Sequence, residues 1–242
     1  MITEHLVFRD RDHGGYQLGE HLVNRLGFLV PDAPGESSDG HDPHARSPHL
    51  SAKRPLVLAL PHGGVPVATH VAAALDADLD LVVARRITAP GRPGHGIGAV
   101  ADDGPPVFDG AELRALGLSE HDLSEHDLSD AVELERERIR RFRRGRPAPD
   151  ARGRVVVVVD DGLATGITAR AALRRLHDHE PSYLVMAAPV CSRRAHAALT
   201  GDADAMVYVH EPDEFGSVGE WYEDFTPLTD QDVDEVLGRF GG

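Results

Sequence analysis

The chain has 242 residues, which suits one α/β domain; it is too long for a disulfide mini-protein and too short for a barrel enzyme with large additions. Hydrophobic residues make up 41% and charged residues 27%, so the chain should bury an ordinary globular core. Forty acidic residues against 25 basic ones give a net charge of −15, which opposes binding to nucleic acid and to anionic membranes. Any anion site must therefore be local, built from backbone amides and a few arginines.

The cysteine content and the N-terminal sequence indicate the compartment. Cys191 is the single cysteine, which excludes an internal disulfide framework and a cysteine-rich zinc site. The N-terminus has no apolar signal core, and no run of eighteen apolar residues occurs. We expect a soluble, cytoplasmic protein.

The first half of the chain predicts one helix, a polar insertion and then alternating strands and helices. Residues 13–26 have apolar residues at helical spacing, whereas Pro31–Ala52 is rich in Pro, Gly, Ser, Asp and His and predicts a flexible surface insertion. Arg85–Gly96 is predicted as a loop because Gly, Pro and Arg dominate it. The remaining predicted elements are strands over Pro55–Leu60, Leu79–Ala84, Ile97–Ala101 and 105–108, and a helix over Val65–Leu75.

The second half continues the alternation after a helical insertion over 111–146, in which a five-residue duplication at 118–130 indicates a solvated helix. Residues 211–242 predict an aromatic-rich loop and a last helix with Thr or Asp as its N-cap. The other predicted elements are strands over Gly153–Asp160, Ser182–Val190 and Ala205–His210, and helices over Ile167–His179 and 192–199. Strands that alternate with helices predict one α/β domain over 1–242, with an open, mostly parallel sheet flanked by helices.

The segment Val155–Thr168, VVVVVDDGLATGIT, carries the strongest functional signal. Five valines run into Asp160 and Asp161, which places two carboxylates at the carboxyl end of a buried strand, where ligands bind in open α/β sheets. The turn that follows exposes backbone N–H groups in front of a helix N-terminus and so predicts a phosphate site. A phosphate site beside two carboxylates suited to vicinal hydroxyls describes a site for a ribose 5-phosphate.

This segment resembles the phosphoribosyl-diphosphate motif of the type I phosphoribosyltransferases: four apolar residues, two acidic residues and G-x-x-T-G-x-T. The resemblance implies a Rossmann-like fold with a small hood formed by the N- and C-terminal segments. It implies that Asp160 and Asp161 hold the ribose 2′ and 3′ hydroxyls and lie near a Mg²⁺ cofactor, which they contact indirectly through those hydroxyls or water. It also implies that the 5-phosphate binds to five residues, Ala164, Thr165, Gly166, Ile167 and Thr168.

Two further segments match a little-characterised bacterial and archaeal branch of that family. Pro61–Gly64, PHGG, stands where the family contacts pyrophosphate; Gly63 and Gly64 can expose amides, and His62 replaces the usual arginine. Arg85 and Arg86 match a basic pair after the second strand, and a guanidinium offers a planar fork to phosphate oxygens. A simple turn and a surface ion pair are the alternatives for these two segments.

The acceptor of the phosphoribosyl group is less defined. Ala164 stands where members that use 6-oxopurines have an aspartate, and a methyl group cannot transfer a proton, so a hypoxanthine or guanine mechanism of that kind is disfavoured. Trp221 and Tyr222 lie in an aromatic-rich stretch that either stacks on a planar base or pins the N-terminal helix to the core.

The resemblance therefore implies a transferase that uses phosphoribosyl diphosphate and Mg²⁺ and passes the phosphoribosyl group to a small nitrogen nucleophile, releasing pyrophosphate. A non-catalytic sensor of phosphoribosyl diphosphate or nucleotides is the alternative, and a ribose phosphate hydrolase or phosphorylase is a weaker one. Family members often dimerise, so a homodimer is compatible with this interpretation.

Overall fold

A parallel sheet between two helical layers forms the body of the protein. The computed structural model describes residues 8–26, 53–89, 92–102, 104–119, 137, 140–141 and 150–240. Its elements, in chain order, are α1 Arg11–Leu26, β1 Leu56–Ala59, α2 Gly64–Ala74, β2 Asp78–Leu81, β3 Ala84–Ala89, β4 Arg92–Ala101, β5 Val107–Phe108, α3 Gly110–Leu116, β6 Val155–Val159, α4 Ile167–His177, β7 Tyr183–Val190, α5 Arg193–Leu199, β8 Ala205–His210, a 3₁₀ turn Val218–Trp221 and α6 Asp230–Phe240.

The main sheet has the strand order β2-β1-β6-β7-β8, and all its pairs are parallel. From β1 the chain first continues on one side, to β2, and later returns on the other side as β6. The strand order therefore reverses between β1 and β6, and ligands of open α/β sheets bind at such a switch point. The predicted α/β fold with a parallel sheet is confirmed.

The valines of β6 divide the core into two layers because successive side chains of a strand point to opposite faces. Val155, Val157 and Val159 pack on the side of α1, α2 and α6. Val156 and Val158 pack on the side of α4 and α5. Burial on both faces explains why this strand is continuously apolar.

The loop predicted over Arg85–Gly96 is wrong for most of its length, because β3 and β4 form an antiparallel hairpin and β5 adds a third strand. Along β3 the side chains of Ile87 and Ala89 are buried whereas Thr88 is exposed, which is the alternation of a half-buried strand. Ile87 packs with residues of β4 and α3 in a small separate core. The many Gly, Pro and Arg residues of the segment hide this alternation in the sequence.

The predicted insertions lie largely outside the described residues, as does most of the five-residue duplication. The flexible insertion over 31–52 is not described at all. Of the helical insertion over 111–146, α3 is described up to Gly117, whose positive φ of 67° ends the helix. None of the helices in the described ranges is long and apolar enough to cross a membrane.

The packing of α4 against the sheet gives a stability prediction. Leu173→Ala removes a fully buried side chain and should lower the free energy of unfolding by about 2–5 kcal/mol. Tyr16→Ala removes more atoms but from a side chain that is 59% exposed, and it should cost less. Urea denaturation of both variants measures the difference, and an equal cost would contradict the assigned burial of α4.

The single thiol gives a second prediction. Cys191 is fully buried, and burial, with a smaller contribution from Glu211, raises its pKa to about 12. The native protein should therefore not react with a thiol reagent at pH 8, whereas the chain in guanidinium chloride should react at once. Since the unfolded thiol ionises from about pH 8.5 and the folded one does not, this thiol lowers native stability as the pH rises above that value. Rapid modification of the native protein would contradict the placement.

Candidate functional site

The ends of β1 and β6 bring two separate segments together. Ala59 pairs with Val159, and the amide of Leu60 donates a hydrogen bond of 2.9 Å to the carbonyl of Val159. The two strands thus end side by side at the carboxyl edge of the sheet. The loop Pro61–Gly64 and the acidic pair Asp160 and Asp161 follow at once and lie next to each other.

The two glycines of the Pro61–Gly64 loop are required by this closeness. A Cβ atom at Gly63 would collide with the carboxylate oxygen Oδ2 of Asp161, and one at Gly64 would lie 2.5 Å from the carbonyl oxygen of Val159. Side chains at these positions would displace the acidic pair or the end of β6. The loop therefore presents backbone rather than side chains to Asp161.

The acidic pair is held in surroundings that disfavour charge. Asp161 is buried and Asp160 is half-buried, and the amide of Asp161 donates a hydrogen bond of 2.9 Å to Oδ1 of Asp160. Burial raises the pKa of Asp160 well above its ordinary value, and the neighbouring Asp161 raises it further. Burial also raises the pKa of Asp161, although Arg11 opposes that rise. A ligand that brings hydroxyl donors or a cation would therefore stabilise the ionised form of these carboxyls.

Arg11, at the start of α1, is a cation that contacts this pair, and its role is not predicted from the sequence. Its Nε lies 2.8 Å from Oδ2 of Asp161, and the two side chains are only 11% and 12% exposed. Its Nη1 donates a hydrogen bond of 2.9 Å to the carbonyl of Thr226, and its Cζ lies 3.9 Å from the centre of the Phe225 ring. The partners are 150 residues apart in sequence, so no local spacing indicates the contact.

The turn after the acidic pair has the form of an anion site. Gly166, with a φ of 74°, precedes α4, and Ser192 holds the turn by donating a hydrogen bond of 2.5 Å to the carbonyl of Ala164. Within the described ranges, no acceptor is bonded to the amides of Ala164, Thr165 and Gly166. The amide of Ile167 has only a 3.5 Å contact with Oγ1 of Thr165.

The positive end of the α4 helix dipole lies at this turn and favours a negatively charged ligand there. Thr165 and Thr168 are half-buried in the same segment. The turn can therefore receive a phosphate through its main chain. All five residues that the sequence predicts for this role, Ala164 to Thr168, lie in or directly after the turn.

The side chain of His62 is directed at the last helix. Its Nε2 lies 2.6 Å from Oδ1 of Asp230, the first residue of α6, while Oδ2 of Asp230 lies 3.3 Å from Nη1 of Arg141. The imidazole therefore links the Pro61–Gly64 loop to α6. Pyrophosphate binding by His62 stays a prediction. The backbone of Gly63 is the part of the loop beside Asp161, whereas Gly64 lies against the end of β6 and donates its amide to the carbonyl of Leu60 at 3.1 Å.

The predicted basic pair lies at the start of the β3–β4 hairpin. Arg85 is half-buried and Arg86 is exposed, as expected of neighbours on opposite faces of a strand. The aliphatic part of Arg86 covers Gly96 on β4. Pyrophosphate binding by these two arginines stays a prediction.

Trp221 and Tyr222 are 3% and 6% exposed and belong to a buried aromatic cluster with Phe8. The amide of Phe8 donates a hydrogen bond of 2.8 Å to the carbonyl of Trp221, and the hydroxyl of Tyr222 donates one of 2.6 Å to the carbonyl of Asp161. These contacts favour the alternative in which the aromatic residues fasten the N-terminal segment to the core. A role in stacking on a base stays a prediction.

The oxygen donors at the site suit a hard cation. Mg²⁺ is commonly bound by one or two carboxylates together with substrate phosphates and water. Asp160 and Asp161 provide such carboxylates and therefore fit a cation that is held in part by the substrate. No cluster of three or more His, Cys, Asp or Glu side chains occurs among the described residues.

Known proteins resemble the chain in sequence and in structure. Two Mycobacterium tuberculosis proteins, Rv0571c of strain H37Rv and MT0597 of strain CDC 1551, have names that provisionally class them as phosphoribosyl transferases, and each is 39% identical over 194 residues. The match covers 80% of this chain but 44% of each of those proteins, so the chain spans less than half of their length. The crystal structure of TT1426 from Thermus thermophilus matches with a TM-score of 0.72 and 35% identity, over 98% of this chain and 100% of that one.

The family model for the phosphoribosyl transferase domain matches residues 44–224 of this chain. The matched residues include the Pro61–Gly64 loop, the acidic pair, the turn before α4, and Trp221 and Tyr222 of the aromatic cluster. The match therefore spans most of the chain and includes the loop, the acidic pair and the turn, whereas Phe8, Arg11, Phe225, Thr226 and Asp230 lie outside it. The chain belongs to the phosphoribosyl transferase domain family.

Proposed function

We propose that the protein transfers the phosphoribosyl group of 5-phosphoribosyl 1-diphosphate to a small nitrogen nucleophile and releases pyrophosphate. One observation carries the proposal. The acidic pair Asp160 and Asp161 adjoins a turn in which the amides of Ala164, Thr165 and Gly166 have no acceptor among the described residues. Both lie at the switch point of a parallel sheet. A ribose that bears a 5-phosphate has the two groups that this arrangement can bind.

The acidic pair acts on the sugar. The two carboxylates accept hydrogen bonds from the 2′ and 3′ hydroxyls and so hold the ring while the turn Ala164–Thr168 holds its phosphate. As the bond to pyrophosphate breaks, positive charge develops on the ring, and fixed carboxylates nearby stabilise that charge. Positioning and electrostatic stabilisation then carry the reaction, and no covalent nucleophile of the protein is needed.

The leaving group lies toward the Pro61–Gly64 loop. Gly63 keeps a side chain away from Asp161, and we propose that its backbone N–H group donates to the pyrophosphate oxygens, whereas the amide of Gly64 already donates to the carbonyl of Leu60 at 3.1 Å. Asp160 and Asp161 would hold Mg²⁺ indirectly, through ribose hydroxyls or water, and Mg²⁺ neutralises charge on a departing pyrophosphate. Arg85 and Arg86 are the side chains that we propose for the remaining phosphate charge.

The nucleophile is defined only as a class. Ala164 cannot take a proton from a base, so the proposed acceptor is one that does not need deprotonation at that position. Near the aromatic cluster, Glu214, Phe215 and Glu220 line an open cleft of about 480 Å³ together with Gly216 and Trp221. Carboxylates beside aromatic rings suit a planar or amine-bearing nitrogen compound.

The acidic pair gives the direct test of the proposed function. Wild-type protein with phosphoribosyl diphosphate, Mg²⁺ and a panel of bases and amines should release pyrophosphate. Asp160→Asn combined with Asp161→Asn should lower kcat/KM by at least about 100-fold, because the fixed negative charges next to the ring are lost. Circular dichroism should show that the fold is kept.

A matched control removes two carboxylates elsewhere. Asp178→Asn with Glu180→Gln changes the net charge equally, at side chains that are mostly exposed beyond the end of α4, and should leave turnover unchanged. Wild-type turnover in the Asp160 and Asp161 double variant would contradict the proposed site. Tight binding of phosphoribosyl diphosphate by the wild type with no turnover across the panel would favour the sensor instead.

The Pro61–Gly64 loop gives a separate prediction. Gly63→Ala places a Cβ against Oδ2 of Asp161 and should weaken phosphoribosyl diphosphate binding, with a loss of unfolding free energy of about 1–3 kcal/mol. Gly110→Ala, at the start of α3, is the control, because its Cβ would meet only Nη1 of Arg114 at 3.4 Å. It should leave the affinity for phosphoribosyl diphosphate unchanged and the free energy of unfolding unchanged or slightly higher. Calorimetric titration and urea denaturation measure these effects. Full affinity in Gly63→Ala would show that the loop does not approach Asp161 as described.

A further inference from the structure

The ion pair between Arg11 and Asp161 is nearly inaccessible to solvent. Both of its side chains are nearly buried, at 11% and 12% exposure. The neighbouring Arg9 pairs with Asp10 and is 71% exposed. A buried pair costs desolvation on both sides, so its position at the acidic pair calls for a specific role.

Three contacts fix the guanidinium of Arg11. Nε donates to Asp161, Nη1 donates to the carbonyl of Thr226, and the group lies over the ring of Phe225. The ring of Phe225 is itself stacked on Tyr222 at 5.2 Å, and the hydroxyl of Tyr222 donates to the carbonyl of Asp161. Residues of both terminal segments therefore hold Asp161, by its carboxylate and by its backbone.

The carboxylate of Asp161 is oriented by this arrangement. Its Oδ2 is bonded to Arg11 and directed at the backbone of Gly63, so the side chain cannot rotate without losing the ion pair or meeting the loop. An ionised carboxylate has about four acceptor sites on its two oxygens, so one bond from Arg11 leaves acceptor sites for a sugar hydroxyl. A fixed carboxylate binds a hydroxyl at less entropic cost than a mobile one.

We infer that Arg11 is a positioning residue for the proposed ribose site, where it holds the Asp161 carboxylate in the orientation that accepts a ribose hydroxyl. This inference rests on the proposed function. Arg11 acts on the hydroxyl side of the site only, because the phosphate turn Ala164–Thr168 is held separately by Ser192 and by the start of α4. Its loss should therefore affect recognition of the hydroxyls and spare recognition of the phosphate.

Two ligands separate these effects. Ribose 5-phosphate has the hydroxyls, whereas tetrahydrofurfuryl phosphate keeps the ring and the phosphate without them. Calorimetric titration of the wild type should give at least about a tenfold preference for ribose 5-phosphate, the range expected for a hydrogen bond to a charged group. Arg11→Gln should reduce that preference to less than about threefold and leave the Kd of tetrahydrofurfuryl phosphate within about twofold of the wild-type value.

Arg9→Gln is the matched control, because it makes the same exchange two residues earlier at an exposed side chain, and it should keep the wild-type preference. If Arg11→Gln does not fold, Arg11→Lys replaces it. Lysine keeps the charge but cannot reproduce the planar fork that reaches Asp161 and Thr226, so the preference should still fall.

The outcomes separate the inference from the proposed function. An unchanged preference in Arg11→Gln, or an equal loss of affinity for both ligands, overturns the positioning role; an unchanged preference in Arg11→Lys does so where the glutamine variant does not fold. A wild type that shows no preference at all overturns the ribose site itself, and with it the inference that depends on it.

Discussion

The parallel pairing of β1 with β6 is the constraint on which the candidate site depends. Because Ala59 and Val159 are in register, the Pro61–Gly64 loop and the acidic pair leave the sheet at the same place. Two glycines allow the loop to approach Asp161 and the end of β6. The turn before α4 follows the acidic pair in the chain and forms the phosphate part of the candidate site. A shift of register between these strands would move the Pro61–Gly64 loop away from the acidic pair and from the turn before α4. The helical layers would still cover an apolar sheet, so the site depends on this register more than the core does.

The electrostatics of the site are local and differ from those of the whole chain. Against a net charge of −15, the site places two carboxyls in low-dielectric surroundings with one arginine in direct contact. Removing one partner of a buried pair costs about 3–5 kcal/mol, because the other charge is left uncompensated. The site thus holds two neighbouring carboxyls where ionisation of both is unfavourable. Hydroxyl donors or a cation bound there would relieve that cost, which supports the proposed ribose site.

Much of this arrangement was predictable from local sequence, and the exceptions have physical causes. Five consecutive valines predict the central strand, and the Gly and Thr residues after Asp161 predict the turn, because both signals lie within a few residues of each other. The β3–β4 hairpin was not predicted, since its Gly and Pro residues outweigh a short alternation around Ile87. Arg11 was not predicted either, because its contact with Asp161 is tertiary. The two roles considered for Trp221 and Tyr222 could not be separated in sequence, since an aromatic ring serves a core and a ligand equally well; the structure places both rings in the core.

We propose that the acidic pair and the turn before α4 together bind a ribose 5-phosphate. A crystal structure of the protein with ribose 5-phosphate tests this most directly. We expect phosphate oxygens at the amides of Ala164–Thr168 and sugar hydroxyls at the carboxylates of Asp160 and Asp161. Density for the ligand elsewhere, with the turn filled by the protein's own side chains, would contradict it.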